Sequence, residues 1–140
     1  LPTALRLNMT GLADDPRDES ARYQAAVDMA VFAEKHAFSV VSVEEHHVAD
    51  NGWLPSPLTL SAAVIGRTDT ILVNCTALLV TLYDPIRLAE DLAVLDLLSG
   101  GRFSFVAGIG YREAEYAAMD KDWSGRGSAM DHLLETLLTA

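Results

Sequence analysis

Four times along the chain a short β-branched or apolar run gives way to a polar turn and then to apolar residues at helical spacing. This repetition restricts the chain to α/β architectures built from βα units. The first run, Leu5 to Met9, leads through a polar loop with Gly11, Asp14, Asp15 and Pro16 to Tyr23, Ala26, Val27, Ala30 and Val31. Their three-and-four spacing predicts a helix ending near His36. The second run, Phe38 to Val43, is almost continuously apolar, as a parallel strand covered on both faces requires. It stops at Glu44, Glu45, His46 and His47, and a loop with Gly52, Trp53 and Pro55 follows. Ser56 and Pro57 then read as an N-cap and first-turn proline for a helix from Leu58 to about Gly66. A third strand, Ile71 to Thr76, continues through Ala77 and Val80 to Asp84 and Pro85, which open a helix reaching Leu98 and closing at Ser99, Gly100 and Gly101. The fourth strand, Phe103 to Ala107, ends in Gly108, Ile109 and Gly110, with a short helix expected over Glu113 to Met119. Ser128 and Asp131 have capping-box spacing ahead of an apolar stripe of Met130, Leu133, Leu134, Leu137 and Leu138.

Half of the 140 residues are apolar, enough for one core and one domain. The net charge of −10, with scattered basic residues, argues against a nucleic-acid surface, which needs clustered Lys and Arg. No apolar run approaches the ~20 residues of a membrane span, and Leu1 to Thr10 lacks a secretory cleavage pattern. A soluble protein of the reducing cytoplasm is expected, since Cys75 has no second cysteine to pair with. A first residue other than Met suggests that the chain begins downstream of its natural start. Four units fit an open sheet or part of a closed barrel, because an eight-unit barrel needs about 250 residues.

Parallel α/β sheets gather their functional loops at the C-terminal strand ends, which places Glu45, His46 and His47 on the active edge. An imidazole there can move protons near neutral pH, where its unperturbed pKa of ~6.5 lies. The alternative is a supporting hydrogen bond to a loop, with Glu45 orienting the histidines. A metal site fits less well, because adjacent residues seldom converge on one ion and His-Glu-x-x-His spacing is missing. Gly108 and Gly110 clear side chains from the end of strand four, so that a planar ring or a phosphate can approach the backbone. A dinucleotide fingerprint would need another glycine where Glu113 stands, so a Rossmann site is rejected. Cys75 reads as a small buried hydrophobe rather than a reactive thiol.

Several strings together resemble the luciferase-like monooxygenase family of flavin- or deazaflavin-dependent oxidoreductases. They are Val43-Glu44-Glu45-His46-His47, Leu54-Pro55-Ser56-Pro57, Asp84-Pro85-Ile86-Arg87-Leu88-Ala89-Glu90-Asp91, Leu95-Asp96-Leu97-Leu98-Ser99-Gly100-Gly101-Arg102 and Gly108-Ile109-Gly110-Tyr111-Arg112. The resemblance implies an α/β fold of TIM-barrel type in which this chain is the N-terminal half, with strands five to eight beyond it. It implies FMN, or a deazaflavin coenzyme, as the cofactor, a reduced flavin that reacts with oxygen, and a small organic substrate. It also implies proton transfer at His46 and a non-prolyl cis peptide between Thr76 and Ala77 beneath the flavin ring; ordinary strand interior is the other reading of that pair. Arg112 and Arg126 are then candidates for the flavin phosphate, against the alternative of solvated arginines. Family members pair through helices of this half, and the broad apolar surface of helix three agrees with a homodimer or higher homo-oligomer. The rivals are hydride transfer with a deazaflavin and a non-catalytic half barrel that only folds and dimerises.

Overall fold

The structure, a computed structural model, describes residues 2–11 and 16–139; Asp14 and Asp15 of the expected first loop lie outside the described residues. Its elements are β1 (Ala4–Arg6), α1 (Pro16–Lys35), β2 (Val40–Val43), α2 (Pro57–Ile65), β3 (Leu72–Leu78), a 3₁₀ turn (Val80–Leu82), α3 (Pro85–Ser99), β4 (Phe103–Ala107), α4 (Glu113–Ala118) and α5 (Arg126–Thr139). The four strands form one sheet in chain order, β1-β2-β3-β4, and every pairing is parallel. Sequential order with a helix after each strand is the βα repetition read from the sequence.

Each strand presents alternate residues to the helical layer. Val41, Val43, Val73 and Cys75 are fully buried and pack with Ala30 and Ala33 of α1, Val64 of α2, and Leu88 and Leu95 of α3 in one core. The opposite face is open, with Leu72 49% and Val106 50% exposed. The near-continuous apolar character of the strands anticipates cover on both faces, and among the described residues only one face receives it.

Element ends differ from expectation where hydrogen bonds decide. The first run pairs only as far as Arg6, although Leu7 N–H still donates to Ser42 O at 2.9 Å and Leu7 and Met9 stay buried. An edge strand has one partner, so its ladder ends where β2 leaves it. β2 starts at Val40 because Phe38 N–H closes α1 on Ala33 O. Asp84 caps α3 through Arg87 N–H at 3.0 Å, and Gly100 ends that helix at φ 63°, as expected. Ser56 precedes α2 as expected, but its hydroxyl bonds Thr59 Oγ1 instead of the backbone. The Ser128–Asp131 capping box does not start the last helix, which begins at Arg126. Asp122 sets that turn, accepting from the Ser124 amide and hydroxyl and from Gly125 N–H.

Two polar clamps hold the end of the sheet away from the Glu-His-His string. Glu34 Oε1 accepts the backbone N–H groups of Asp69, Thr70 and Ile71 at 2.6–2.9 Å. Burial alone would raise its pKa, but those amides outweigh it and hold the carboxyl below its usual range. Arg102 donates to Ser99 O, Ile71 O, Ile65 O, Thr68 O and Thr68 Oγ1, which binds the α2–β3 connection to the α3–β4 turn. This fan accounts for arginine after the Ser-Gly-Gly turn, since only a guanidinium offers five donors in one plane. Replacing Arg102 with Met leaves several carbonyls without donors and should lower stability by about 2–3 kcal/mol. Arg102→Lys should recover less than half of that in urea titrations.

Candidate active site

The C-terminal ends of β2, β3 and β4 surround the Glu44–His47 segment, and two buried carboxylates organise it. Glu45, 1% exposed, accepts His47 Nε2 at 2.9 Å and the Tyr83 hydroxyl at 2.5 Å on Oε1, and Leu79 N–H at 2.5 Å on Oε2. Burial, and then the Glu45 charge, push the Tyr83 phenol far above its ordinary value, so Tyr83 remains a donor. The same two causes raise the Cys75 thiol to about 12, which leaves it inert and agrees with its reading as a buried hydrophobe.

Glu115 on α4 is the second carboxylate, also 1% exposed. Its Oε1 meets His46 Nδ1 at 3.2 Å, His47 N–H at 3.0 Å and Arg112 Nη1 at 3.1 Å. Arg112 also donates to His47 O at 2.9 Å. The His46 ring stacks on Trp53 with centroids 4.0 Å apart and meets Tyr111 edge-on at 5.8 Å. His46 is thereby fixed on a face, an edge and one nitrogen. Glu44 pairs with Arg6 of β1.

Opposite His46, β3 and β4 shift register between Thr76 and Leu78, and the Thr76–Ala77 peptide is cis. Gly108 N–H donates to Leu78 O at 2.8 Å. A Cβ on Gly108 would lie 2.8 Å from Ala77 Cβ and 3.3 Å from Leu78 O, so glycine is required for the two backbones to approach this closely. Gly110 has φ 76°, with the Tyr116 ring 3.4 Å from where a Cβ would stand. Tyr116, buried beneath this loop, donates to Ile109 O at 2.5 Å.

Between these walls lies a cleft of about 300 Å³ whose lining includes Glu45, His46, Thr76, Ala77, Gly108 and Gly110. That volume is at the small end of the ~300–1,000 Å³ typical of ligand pockets. His47 and Arg112 do not line this cleft; His47 meets Glu45 of the lining, and Arg112 meets Glu115 and lies over the Trp53 ring that stacks on His46. Arg126 lies elsewhere, its guanidinium 3.8 Å above the Trp123 ring and bonded to Trp123 O. Among the described residues no group of three or more His, Cys, Asp or Glu side chains could hold a metal ion. Glu115, Tyr83 and Trp53 escaped the sequence reading as site residues. The spacing of Arg112 and Glu115, an i,i+3 ion pair at a helix start, is the signal that points to Glu115.

Residues 7–140 match the family model for luciferase-like monooxygenases. The alkanal monooxygenase beta chain of Photorhabdus luminescens is 36% identical over 76 residues, covering 54% of this chain and 24% of that protein. The monooxygenase RslO1 from Streptomyces bottropensis superimposes with TM-score 0.87 at 24% identity, over 98% of this chain and 42% of that one. The oxygenating constituent of 3,6-diketocamphane monooxygenase of Pseudomonas putida, solved with FMN, gives TM-score 0.86 at 19% identity, over 98% and 38%. The chain therefore spans about a quarter of the length of that curated relative, and about two fifths of those solved structures.

The close backbone approach at Gly108 generates a paired prediction. Gly108→Ala should cost about 1–3 kcal/mol by overpacking, whereas Gly127→Ala, whose Cβ meets nothing within 4 Å, should cost nothing. Thermal or urea unfolding of the two variants checks this.

Proposed function

Because the chain belongs to the luciferase-like monooxygenase family, we propose that it supplies the flavin-facing rim of a flavin-dependent monooxygenase, as the N-terminal half of a (β/α)₈ barrel. The observation that carries this reading is the cleft itself, with His46 on one side and the Gly108–Gly110 backbone and the Thr76–Ala77 peptide on the other. A planar tricyclic ring could lie against the backbone of Gly108 and Gly110 beside the small Thr76 and Ala77 side chains of this lining. FMN, when bound in its reduced form, would supply the electrons that activate oxygen toward a small organic substrate.

This chain's own residues would bind, orient and move protons. His46 would hold or transfer a proton at Nε2, which takes no hydrogen bond from any described residue. Trp53 and Tyr111 would keep its ring from turning, and Glu45 would keep the strand end and the Leu79 turn in register. Arg112 and Arg126 are the candidates for the phosphate; Arg112 is already held at the rim, while Arg126 would have to leave the Trp123 face. The outward residues of α3, with Leu97 81% and Leu98 65% exposed, support pairing with a further chain. No helix of the described residues is long and apolar enough to cross a membrane.

Titrating FMN into the protein while following flavin fluorescence tests the reading. Saturable quenching is expected, with at least about tenfold weaker binding for Gly108→Val, equal to ~1.4 kcal/mol. Unaltered FMN fluorescence at the highest attainable protein concentration would contradict it. Quenching of a deazaflavin but not FMN would instead select hydride transfer, and quenching of neither would select a non-catalytic half barrel.

A further inference from the structure

The two adjacent imidazoles of the rim face different carboxylates through different nitrogens. His46 presents Nδ1 to Glu115 Oε1 at 3.2 Å, whereas His47 presents Nε2 to Glu45 Oε1 at 2.9 Å. Both carboxylates are 1% exposed, and each already accepts from groups that can only donate. For Glu45 these include Leu79 N–H; for Glu115 they are His47 N–H and the Arg112 guanidinium. Each carboxylate is therefore an acceptor, and the imidazole nitrogen that meets it must carry the proton. We infer that the neutral forms of His46 and His47 are opposite tautomers, with Glu115 as the positioning residue that holds the proton of neutral His46 on Nδ1 and leaves its Nε2 lone pair for the cleft.

The consequence for chemistry is directional. A neutral imidazole with its proton on Nδ1 can accept at Nε2 but cannot donate there, so His46 would begin a reaction cycle as a base. The proton it gains at Nε2 makes an imidazolium that faces the Glu115 carboxylate, and returning that proton restores the starting tautomer. Arg112 supplies a countercharge to Glu115 throughout. Stacking on Trp53 opposes the ring flip that would turn Nδ1 away from Glu115 and replace it with a carbon. His47, with its proton on Nε2 bound to buried Glu45, is a strut and has no part in proton transfer. The tautomer rests on geometry alone; its use as a base rests on the function proposed above.

Long-range ¹H–¹⁵N correlation of the protein labelled at histidine, recorded above the imidazole titration range, reads each tautomer directly. Assignment comes from His46→Gln and His47→Gln. The expected spectrum shows His46 protonated at Nδ1 and His47 at Nε2. Glu115→Gln, which retains an oxygen acceptor, should keep the His46 pattern, and Glu115→Met should return most of His46 to the Nε2–H form that free imidazole side chains prefer. Wild-type His46 protonated at Nε2, or a Glu115→Met spectrum unchanged from wild type, would overturn the inference. If Glu115→Met does not fold, the wild-type spectrum alone decides. Since no flavin is needed, failure of FMN to bind would refute the proposed function and leave this result standing.

Discussion

A carboxylate without access to water is the constraint on which the rim depends. Isolated burial of such a charge costs several kcal/mol, and Glu45 escapes that cost only while His47, Tyr83 and Leu79 N–H all reach it. These donors come from the β2 extension, from the residue just after the 3₁₀ turn and from the end of β3, so satisfying one side chain fixes three segments. Glu115 repeats the device on one oxygen only: Oε1 ties the β2 extension to α4, while its buried Oε2 meets no donor among the described residues. The cleft is the space left between segments held in this way, and its polar wall is rigid because moving any part of it would strand a buried charge.

The opposite end of the sheet is held differently. Arg102 and Glu34 there gather backbone groups of the loops beneath the strands, and neither reaches the cleft. One end thus carries the backbone clamps and the other the cleft, the division expected where the loops of a parallel α/β sheet collect at the C-terminal strand ends. The motif residues divide along the same line: Glu45 and His46 line the cleft, whereas the Ser-Gly-Gly string that closes α3 leads into the Arg102 clamp.

Much of this was legible beforehand because it depends on periodicity and local turn chemistry. β4, the short helix after it, the Asp84 cap and the Gly100 terminus stand where spacing and capping predict. The start of α5 was misread, because Ser128 and Asp131 satisfy a local pattern while Asp122 forms the turn that actually precedes the helix. The illegible part of the site is what arrives from a distance. Glu115 is 69 residues from His46, and no local rule joins an acidic residue of a short helix to an imidazole beyond β2. The pairing of Glu45 with His47 and not His46 also depends on which way the chain leaves β2, a tertiary outcome.

Hydrogen exchange at the backbone amides of Leu79 and His47 tests most directly whether buried carboxylates hold the rim. Both amides lie outside regular strands and helices, where exchange is ordinarily fast, yet each donates to a buried carboxylate oxygen. The account predicts that both exchange as slowly as core amides of β3, through global unfolding. Exchange of either at the rate of an unprotected loop would show that the carboxylates do not fix the segments around the cleft.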